Sequence, residues 1–192
     1  MFNFFVNKFY FIDKFEANNI VNLDKRTSII YRNYNKNLNT KEILKIRAFC
    51  KSRNIKFYIA NNLKLAIKYN CDGIYIPSFN RSIFIKGKML KKNFRILGSA
   101  HNIHEIRQKE IQGVEILFIS SIFKRNKNYL GIYKFNFLKN STKKKIVALG
   151  GINNDNIKKI NNLEIDGFAG ISFFKKKPPQ KNWGGFKLFN TI

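Results

Sequence analysis

Cysteine is scarce in this sequence of 192 residues, which contains only Cys50 and Cys71. The two histidines, His101 and His104, stand close together but have no cysteine partners at the spacing of zinc ligands. The sequence therefore argues against a structural zinc site and favours a reducing, cytoplasmic compartment. Both cysteines are expected to be core residues.

Long apolar runs are also lacking. No segment approaches the roughly 18 uninterrupted apolar residues that a membrane span requires, so we expect no contact with a membrane. The aromatic start, MFNFFVNKFYFIDKF, is interrupted by Asn3, Asn7 and Lys8, and no small-residue cleavage site follows it. We therefore expect this stretch to belong to the mature protein rather than to a signal peptide.

Acidic residues are few, because 11 Asp and Glu stand against 37 Lys and Arg, which gives a net charge of +26. Such a chain attracts polyphosphates whatever its sequence. The lysines are spread along the whole length in an Ile, Asn, Phe and Tyr-rich background, a composition that A+T-rich codons alone produce. We therefore do not expect nucleic acid as a partner, and interpret the denser runs 142–146 and 174–181 as a helix end and a solvated tail.

A short unit occurs three times in the chain. A polar segment leads to a glycine and then to an apolar run in NCDGIYIP (70–77), IQGVEILFIS (111–120) and EIDGFAGIS (164–172). Glycine adopts the left-handed conformation without steric cost, so each of these glycines is predicted to end a helix. The apolar run that follows is predicted to be a buried strand.

Five more apolar runs are predicted to be strands: KFYFI (8–12), SIIYR (28–32), IKFYIA (55–60), FRILG (94–98) and KIVAL (145–149). Eight short strands that alternate with helices indicate parallel βαβ units. We predict an α/β fold, a small closed (β/α)8 TIM barrel with short helices over residues 1–177, followed by a tail at 178–192. An open doubly wound sheet is the alternative.

Segments with helical periodicity lie between these strands. Asn39 is followed three residues later by Glu42, and Asn102 by Glu105, so both pairs are predicted to form capping boxes at helix starts. A third helix is predicted around residues 157–160. The segment 126–140 has the weakest pattern.

In a parallel barrel, functional groups gather at the carboxyl ends of the strands. The residues at these positions are Asp13, Arg32, Asn61, Asn62, Ser78, Asn80, Ser99, His101, Ser120, Ser121, Gly150, Gly151 and 170–172. This set is rich in amides, hydroxyls and bare backbone, which suits an anionic ligand better than a metal ion. Gly150 and Gly151 are predicted to join a strand to a helix, where backbone amides bind phosphate.

The motifs YRNY, IANNLKLAI, DGIYIP, ILGSAHNIHEI, ISSIF, ALGGINNDNI and GFAGIS occur in this order over residues 8–174. In order and spacing they resemble thiamine phosphate synthase and its TenI relatives. The resemblance implies a transferase of thiamine biosynthesis that joins an aminopyrimidine diphosphate to a thiazole phosphate and releases pyrophosphate. It also implies small-molecule phosphate and diphosphate substrates, with Mg2+ holding the departing group.

The resemblance implies that the site for the thiazole phosphate is retained. Gly150 and Gly151 match the family's Gly-Gly-Ile, and Ile171 with Ser172 match the pair after the eighth strand. These four residues are therefore expected to bind the substrate phosphate.

The diphosphate site departs from the family pattern. Arg32 matches the arginine of Gln-x-Arg-x-Lys, Asn61 the asparagine of an Asn-Asp pair, and Ser99 the serine of Gly-x-Ser-x-His. Lys127 is the substitute for the lysine of Thr-x-Thr-Lys. The resemblance gives these four residues a role in substrate binding and Arg32 a role in catalysis.

Both carboxylates that hold Mg2+ in the family are replaced by amides, at Asn62 and Asn80. Magnesium is normally held through one or two carboxylates together with substrate phosphates, and neutral carbonyls bind it more weakly. The resemblance therefore implies a Mg2+ site that is weakened or lost.

Three functional hypotheses remain open. The first is the synthase-like transferase. The second is a TenI-like thiazole phosphate tautomerase, in which His101 matches the histidine implicated in moving a proton on the thiazole phosphate. The third is a non-catalytic barrel that binds phosphate or nucleic acid, suggested by the net charge of +26. The sequence makes no prediction of the oligomeric state.

Overall fold

A computed structural model describes residues 7–34, 39–83 and 91–175 of the chain. Eight parallel strands close into a barrel in chain order: β1 (Asn7–Ile12), β2 (Thr27–Tyr31), β3 (Phe57–Ala60), β4 (Gly73–Ile76), β5 (Arg95–Ala100), β6 (Ile116–Ser120), β7 (Lys145–Leu149) and β8 (Gly167–Gly170). Pairing of β8 with β1, with Gly167 opposite Asn7, completes the closure. The predicted (β/α)8 barrel is confirmed, and the open doubly wound alternative is wrong. The predicted tail at 178–192 lies outside the described residues.

Short helices connect the strands: α1 (Ala17–Ile20), α2 (Thr40–Ser52), α3 (Leu63–Lys68), α4 (Ile103–Ile111) and α5 (Gly131–Asn140). The two predicted asparagine caps are confirmed at the helix starts, but the return bond of a capping box is not formed, because Glu42 accepts from the amide of Phe15 and Glu105 from that of His101. The Asn39 side chain accepts from the Glu42 amide at 3.3 Å, and that of Asn102 from the Glu105 amide at 2.9 Å. The third predicted helix is instead a 3-10 helix, Ile157–Leu163. None of the helices in the described ranges is long and apolar enough to cross a bilayer.

Strand side chains alternate between the inside of the barrel and the surrounding helices. The buried inward set is Phe9, Phe11, Ile30, Tyr58, Ala60, Tyr75, Leu97, Phe118, Val147 and Ala169. The ring of Phe118 lies 4.9 Å from Phe9, 5.4 Å from Tyr75 and 6.0 Å from Phe11, measured between centroids. The interior is therefore filled by packed side chains, and space for a ligand is left at the mouth.

The prediction of a helix-ending glycine is confirmed at one of the three repeated units. Gly113 follows α4 with a φ of +78°. For Gly73 and Gly167 the prediction is wrong, because they begin β4 and β8, where an added Cβ would lie 2.0 and 2.1 Å from a carbonyl oxygen of the adjacent strand. The left-handed residues before these strands are Asn70 and Glu164, with φ of +50° and +48°. Close approach of neighbouring strands, rather than a turn, requires glycine at 73 and 167.

Phe118→Ala is expected to lower the free energy of unfolding by about 3–5 kcal/mol, because it opens a cavity among packed rings. Phe137 is a matched control, since it lies on α5 and is 63% exposed. Its replacement by Ala should change the free energy of unfolding by less than about 0.5 kcal/mol. Urea denaturation followed by circular dichroism measures both values. Equal losses in the two variants would contradict the packed interior.

Both cysteines are confirmed as core residues, each with 0% exposure. Burial raises the pKa of the Cys50 and Cys71 thiols to about 12. We therefore expect a thiol reagent to modify neither residue in the native protein at mildly alkaline pH, and both after unfolding in guanidinium. Cys50→Ser and Cys71→Ser assign the two signals.

The same pKa shift affects stability. In the unfolded chain the thiols have the usual pKa of 9.0, whereas in the folded protein burial raises the pKa of both to about 12. The unfolded chain therefore binds fewer protons in this window, so the contribution of each thiol to stability is lost as the pH rises from 9.0 towards 12. Fast reaction of Cys50 or Cys71 with the thiol reagent in the native protein would contradict the burial of these side chains.

Candidate functional site

A cavity of about 310 Å³ opens at the carboxyl ends of the strands. The ends of β2, β5, β6, β7 and β8 contribute to it, and its lining consists of Arg32, His101, Ser120, Ser121, Lys124, Asn126, Asn128, 149–152 and 170–172. This lining contains one arginine, Arg32, and one lysine, Lys124, and no Asp or Glu. The electrostatics of the cavity therefore suit an anion.

The structure separates the predicted site residues into two groups. Arg32, His101, Gly150, Gly151, Ile171 and Ser172 all line this cavity. Asn61, Asn62, Asn80, Ser99 and Lys127 do not line it. The residues expected to bind the thiazole phosphate thus lie together with the expected catalytic residues, whereas the three asparagines form their own cluster after β3 and β4.

Gly150 and Gly151 follow β7 with φ of +104° and +79°. A Cβ on Gly150 would lie 2.4 Å from Oγ of Ser121, and one on Gly151 would lie 2.6 Å from the amide nitrogen of Lys124. The carbonyl oxygen of Gly150 accepts from the amides of Phe123 at 2.9 Å and Lys124 at 3.1 Å. The loop after β6 therefore packs directly on the glycine pair and excludes any side chain there.

The amide N–H groups of Gly150, Gly151 and Ser172 donate no hydrogen bond within the described part of the chain. The next helical segment starts only at Ile157, so the expected helix N-terminus does not directly follow the glycines. The donors are instead loop amides. Such consecutive N–H groups form a concave site for an anion such as a phosphate group.

Arg32 directly follows β2, and its amide donates to the carbonyl of Ile12 at 2.7 Å. Its guanidinium carbon lies 4.8 Å from the centroid of the Phe11 ring, inside the barrel. No carboxylate of the described residues lies within 4.0 Å of Arg32. The guanidinium also lines a neighbouring cavity of about 200 Å³ that contains Asp13 and Glu16. Its charge is therefore held at the mouth by a ring and left available to an anion.

Lys124, rather than the predicted Lys127, lines the cavity. The amide of Ser121 donates to the carbonyl of Asn128, and its hydroxyl donates to the carbonyl of Lys124, both at 2.9 Å. These bonds fold the loop so that Lys124 lies over the glycine pair while Lys127 is exposed outside the cavity. The signal in the sequence is the position of Lys124 immediately after the ISSIF motif.

His101 is oriented by Glu105. One carboxylate oxygen of Glu105 lies 2.9 Å from Nδ1 of His101 and accepts from the His101 amide at 2.7 Å. Because an ionised carboxylate only accepts, the bonded Nδ1 carries a proton and Nε2 is the basic nitrogen of the neutral ring. The sequence identified Glu105 only as part of a capping box. His104 is exposed.

Ser99 is 4% exposed, near the end of β5, and is hydrogen-bonded to the phenol of Tyr75. Burial raises the pKa of Tyr75 well above its usual value, which keeps the phenol neutral; the bond to Ser99 opposes this shift. The Ser99 hydroxyl therefore lies in the upper layer of the interior, below the cavity.

Asn61, Asn62 and Asn80 carry no charge, and their oxygens are already bonded. Oδ1 of Asn62 accepts from the Leu65 amide at 3.0 Å as the cap of α3. Nδ2 of Asn80 donates to Oδ1 of Asn61 at 2.6 Å, and Oδ1 of Asn80 accepts from the Ser82 amide at 2.8 Å. All three side-chain carbonyls are thus acceptors in the fold itself.

This amide cluster does not fit a magnesium ion. Magnesium requires near-octahedral oxygen ligands and is usually held by carboxylates, neither of which these engaged amides supply. In residues 7–34, 39–83 and 91–175, no three His, Cys, Asp or Glu side chains come together as a set of metal ligands. Asn62 and Asn80 therefore do not supply the negative charge that the family's carboxylates bring to Mg2+.

Residues 18–174 match the sequence profile of the family described as thiamine monophosphate synthase. The thiamine-phosphate synthase of Methanococcus vannielii is 30% identical over 145 residues, covering 71% of this chain and 70% of the relative. That of Fusobacterium nucleatum is 28% identical with the same coverage. A solved thiamine phosphate pyrophosphorylase from Pyrococcus furiosus has a TM-score of 0.71 at 24% identity, covering 87% of this chain and 86% of that one. At this identity the structural likeness shows the fold.

Gly151→Ala is expected to weaken the binding of inorganic phosphate by at least about tenfold, equivalent to losing one good hydrogen bond. The added methyl group displaces the loop at Lys124 and the amides that face the cavity. Gly113→Ala is the matched control, because its φ of +78° imposes the same backbone strain with nothing within 4 Å of the new Cβ. Calorimetric titration at about 0.15 M salt measures both affinities. Equal affinities in the two variants would contradict a phosphate site at the glycine pair.

Proposed function

The chain belongs to the thiamine monophosphate synthase family, and from this membership we propose that it is a transferase of thiamine biosynthesis. In the proposed reaction, the thiazole nitrogen forms a bond to the methylene carbon of an aminopyrimidine diphosphate. The bond from that carbon to the diphosphate oxygen breaks, and pyrophosphate leaves. The names of the relatives and the convergence of six expected site residues on one cavity support the proposal.

The observation that carries the proposal is the set of amides at Gly150, Gly151 and Ser172, which line the cavity and donate to no acceptor among the described residues. These N–H groups would bind the phosphate of the thiazole substrate. Because an added Cβ at either glycine would meet the loop after β6, the backbone itself forms this contact. The phosphate would be gripped in one orientation, which places the thiazole ring over the mouth.

Arg32 and Lys124 would bind the diphosphate and stabilise the negative charge that develops as it leaves. Arg32 is suited to this role because its guanidinium lies on the Phe11 ring and has no carboxylate partner among the described residues. Lys124 lies across the cavity, above the glycine pair. No step of the reaction is assigned to a metal ion, since the amides at 62 and 80 do not fit one.

A second candidate function, thiazole phosphate tautomerase, is favoured by the pairing of His101 with Glu105. Nε2 of His101 would remove a proton from the bound thiazole phosphate and return it at another position of the ring system. Glu105 would hold the tautomer in which Nε2 is basic. This reaction would use the same phosphate-binding amides and would need no diphosphate substrate.

Arg32→Gln is expected to lower kcat/KM for thiamine phosphate formation by about 100-fold or more, because it removes the cation beside the departing diphosphate. Arg107→Gln is the control, since Arg107 lies on α4 with its side chain 57% exposed and paired with Glu110. The release of pyrophosphate and the appearance of thiamine phosphate measure the rate. Equal rates in the two variants would contradict the role of Arg32.

The two candidate functions are separated by supplying thiazole phosphate with and without the aminopyrimidine diphosphate. If no thiamine phosphate forms with both substrates, in EDTA or in Mg2+, the transferase proposal fails. Isomerisation of thiazole phosphate alone that is lost in His101→Gln would establish the tautomerase instead. Retention of isomerisation in that variant would exclude His101 as its acid and base.

A further inference from the structure

Side chains of α4 bind the loop that follows β4. Nζ of Lys109 and Nε2 of Gln112 both donate to the carbonyl oxygen of Asn80, at 2.7 and 2.9 Å. Gln112 also donates to the carbonyl of Ser82 at 2.9 Å, and Gln108 donates to the carbonyl between them at 3.1 Å. Three consecutive carbonyls are therefore bound by one helix end. We call Gln108, Lys109 and Gln112 the α4 clamp.

Lys109 and Gln112 are both 0% exposed. Nζ of Lys109 donates to Oε1 of Gln112 at 2.8 Å, and no carboxylate lies within 4.0 Å of Lys109 in the described ranges. Burial lowers the pKa of Lys109 to about 8, an effect that Glu105 opposes, so the amine is still mostly protonated at neutral pH. The carbonyl of Asn80 and the side-chain oxygen of Gln112 take the place of water around this ammonium group. Movement of the loop away from α4 would leave the buried ammonium group with the Gln112 side-chain oxygen as its one remaining acceptor among the described residues, which is strongly unfavourable.

The clamped loop is joined to its neighbours at the mouth. Nδ2 of Asn80 donates to Oδ1 of Asn61, after β3, at 2.6 Å. The ring of Phe79 meets that of Tyr34, after β2, with centroids 5.5 Å apart. Tyr34 stands two residues beyond Arg32. The α4 clamp therefore fixes the strand ends from β2 to β4 relative to one another.

Charge at positions 62 and 80 decides whether a cation is needed on this side. Two carboxylates there would repel a diphosphate unless a metal ion lay between them. Two amides carry no charge, and Asn80 closes onto Asn61 directly through its own hydrogen bond. The loop that carries Asn80 is then already held in place, and the contact of Phe79 with Tyr34 joins it to the segment after β2 that carries Arg32.

We propose that the α4 clamp, acting through the hydrogen bond from Asn80 to Asn61, holds this side of the mouth where a divalent cation would otherwise be required, so that pyrophosphate binds without metal. The inference rests on the proposed function in one respect, because it assumes that the mouth binds a diphosphate. Lys109 is a positioning residue, since it contacts loop carbonyls rather than the ligand.

Calorimetric titration of inorganic pyrophosphate into the protein tests the proposal in EDTA and in millimolar Mg2+. We expect the affinities for pyrophosphate in EDTA and in Mg2+ to agree within about threefold, which is a smaller change than the loss of one hydrogen bond would cause. Lys109→Met should weaken binding in EDTA by about tenfold, because the loop loses its buried donor. Lys109→Arg, which keeps the charge and the donors, should restore much of the affinity. Lys134→Met, an exposed lysine on α5, is the matched control and should change nothing.

Two further measurements separate positioning from a general loss of stability. Amide hydrogen exchange over residues 77–83 should become faster in Lys109→Met than in the control. Inorganic phosphate binding, which reports the glycine pair, should be unchanged in the same variant. A parallel loss of both phosphate and pyrophosphate binding would overturn the specific role of the clamp.

Pyrophosphate binding that requires Mg2+ in the unaltered protein would overturn this inference and leave the transferase proposal standing. Absence of pyrophosphate binding with and without Mg2+ would overturn both. Where circular dichroism shows that Lys109→Met does not fold, Gln112→Leu removes the two bonds from Gln112 to the loop and keeps the cation. Unchanged exchange and unchanged affinity in Gln112→Leu would then overturn the clamp.

Discussion

The rings packed around Phe118 determine where this barrel can bind a ligand. Strands of four to six residues provide few inward layers, and Phe9, Phe11, Tyr75 and Phe118 fill most of the available interior. Each buried aromatic side chain contributes roughly 2–3 kcal/mol by leaving water, so the filled interior is also a main source of stability. Of these rings, Phe11 reaches the mouth, where it lines the cavity of about 200 Å³. The guanidinium of Arg32 lies on the Phe11 ring. The packing of the barrel interior therefore also fixes the position of this charge at the mouth.

Above this floor, the mouth has two sides with different chemistry. The side formed by β6, β7 and β8 offers backbone donors at Gly150 and Gly151, together with the side chain of Lys124. The side formed by β3 and β4 offers neutral amides, which are bonded to each other at Asn61 and Asn80. A dianionic phosphate on the first side needs no counter-ion beyond the lining cations. The cavity of about 310 Å³ is therefore lined by Arg32 and Lys124 and by no acidic side chain.

The fold could be predicted because its signals are local. Apolar runs specify the strands, and asparagine followed by glutamate specifies the starts of α2 and α4. The sequence-based prediction failed where tertiary contacts determine the residue type. Glycine is required at 73 and 167 because a neighbouring strand approaches closely, and no local pattern in the sequence shows this. The choice of Lys124 over Lys127 depends on how Ser121 folds its loop. The same limit hid the α4 clamp, since Lys109 on a helix normally indicates a solvated face.

Helix α4 contacts both sides of the mouth, because it orients His101 at its start and binds the loop after β4 at its end. This restricts how the barrel can be recombined with others of its kind. A crossover placed between β4 and α4 would pair a loop with a foreign helix and leave either a buried ammonium without its acceptor at Asn80 or three carbonyls without the donors of α4. Chimeric barrels made from this chain should therefore inherit the β4 loop and α4 together, as one indivisible segment.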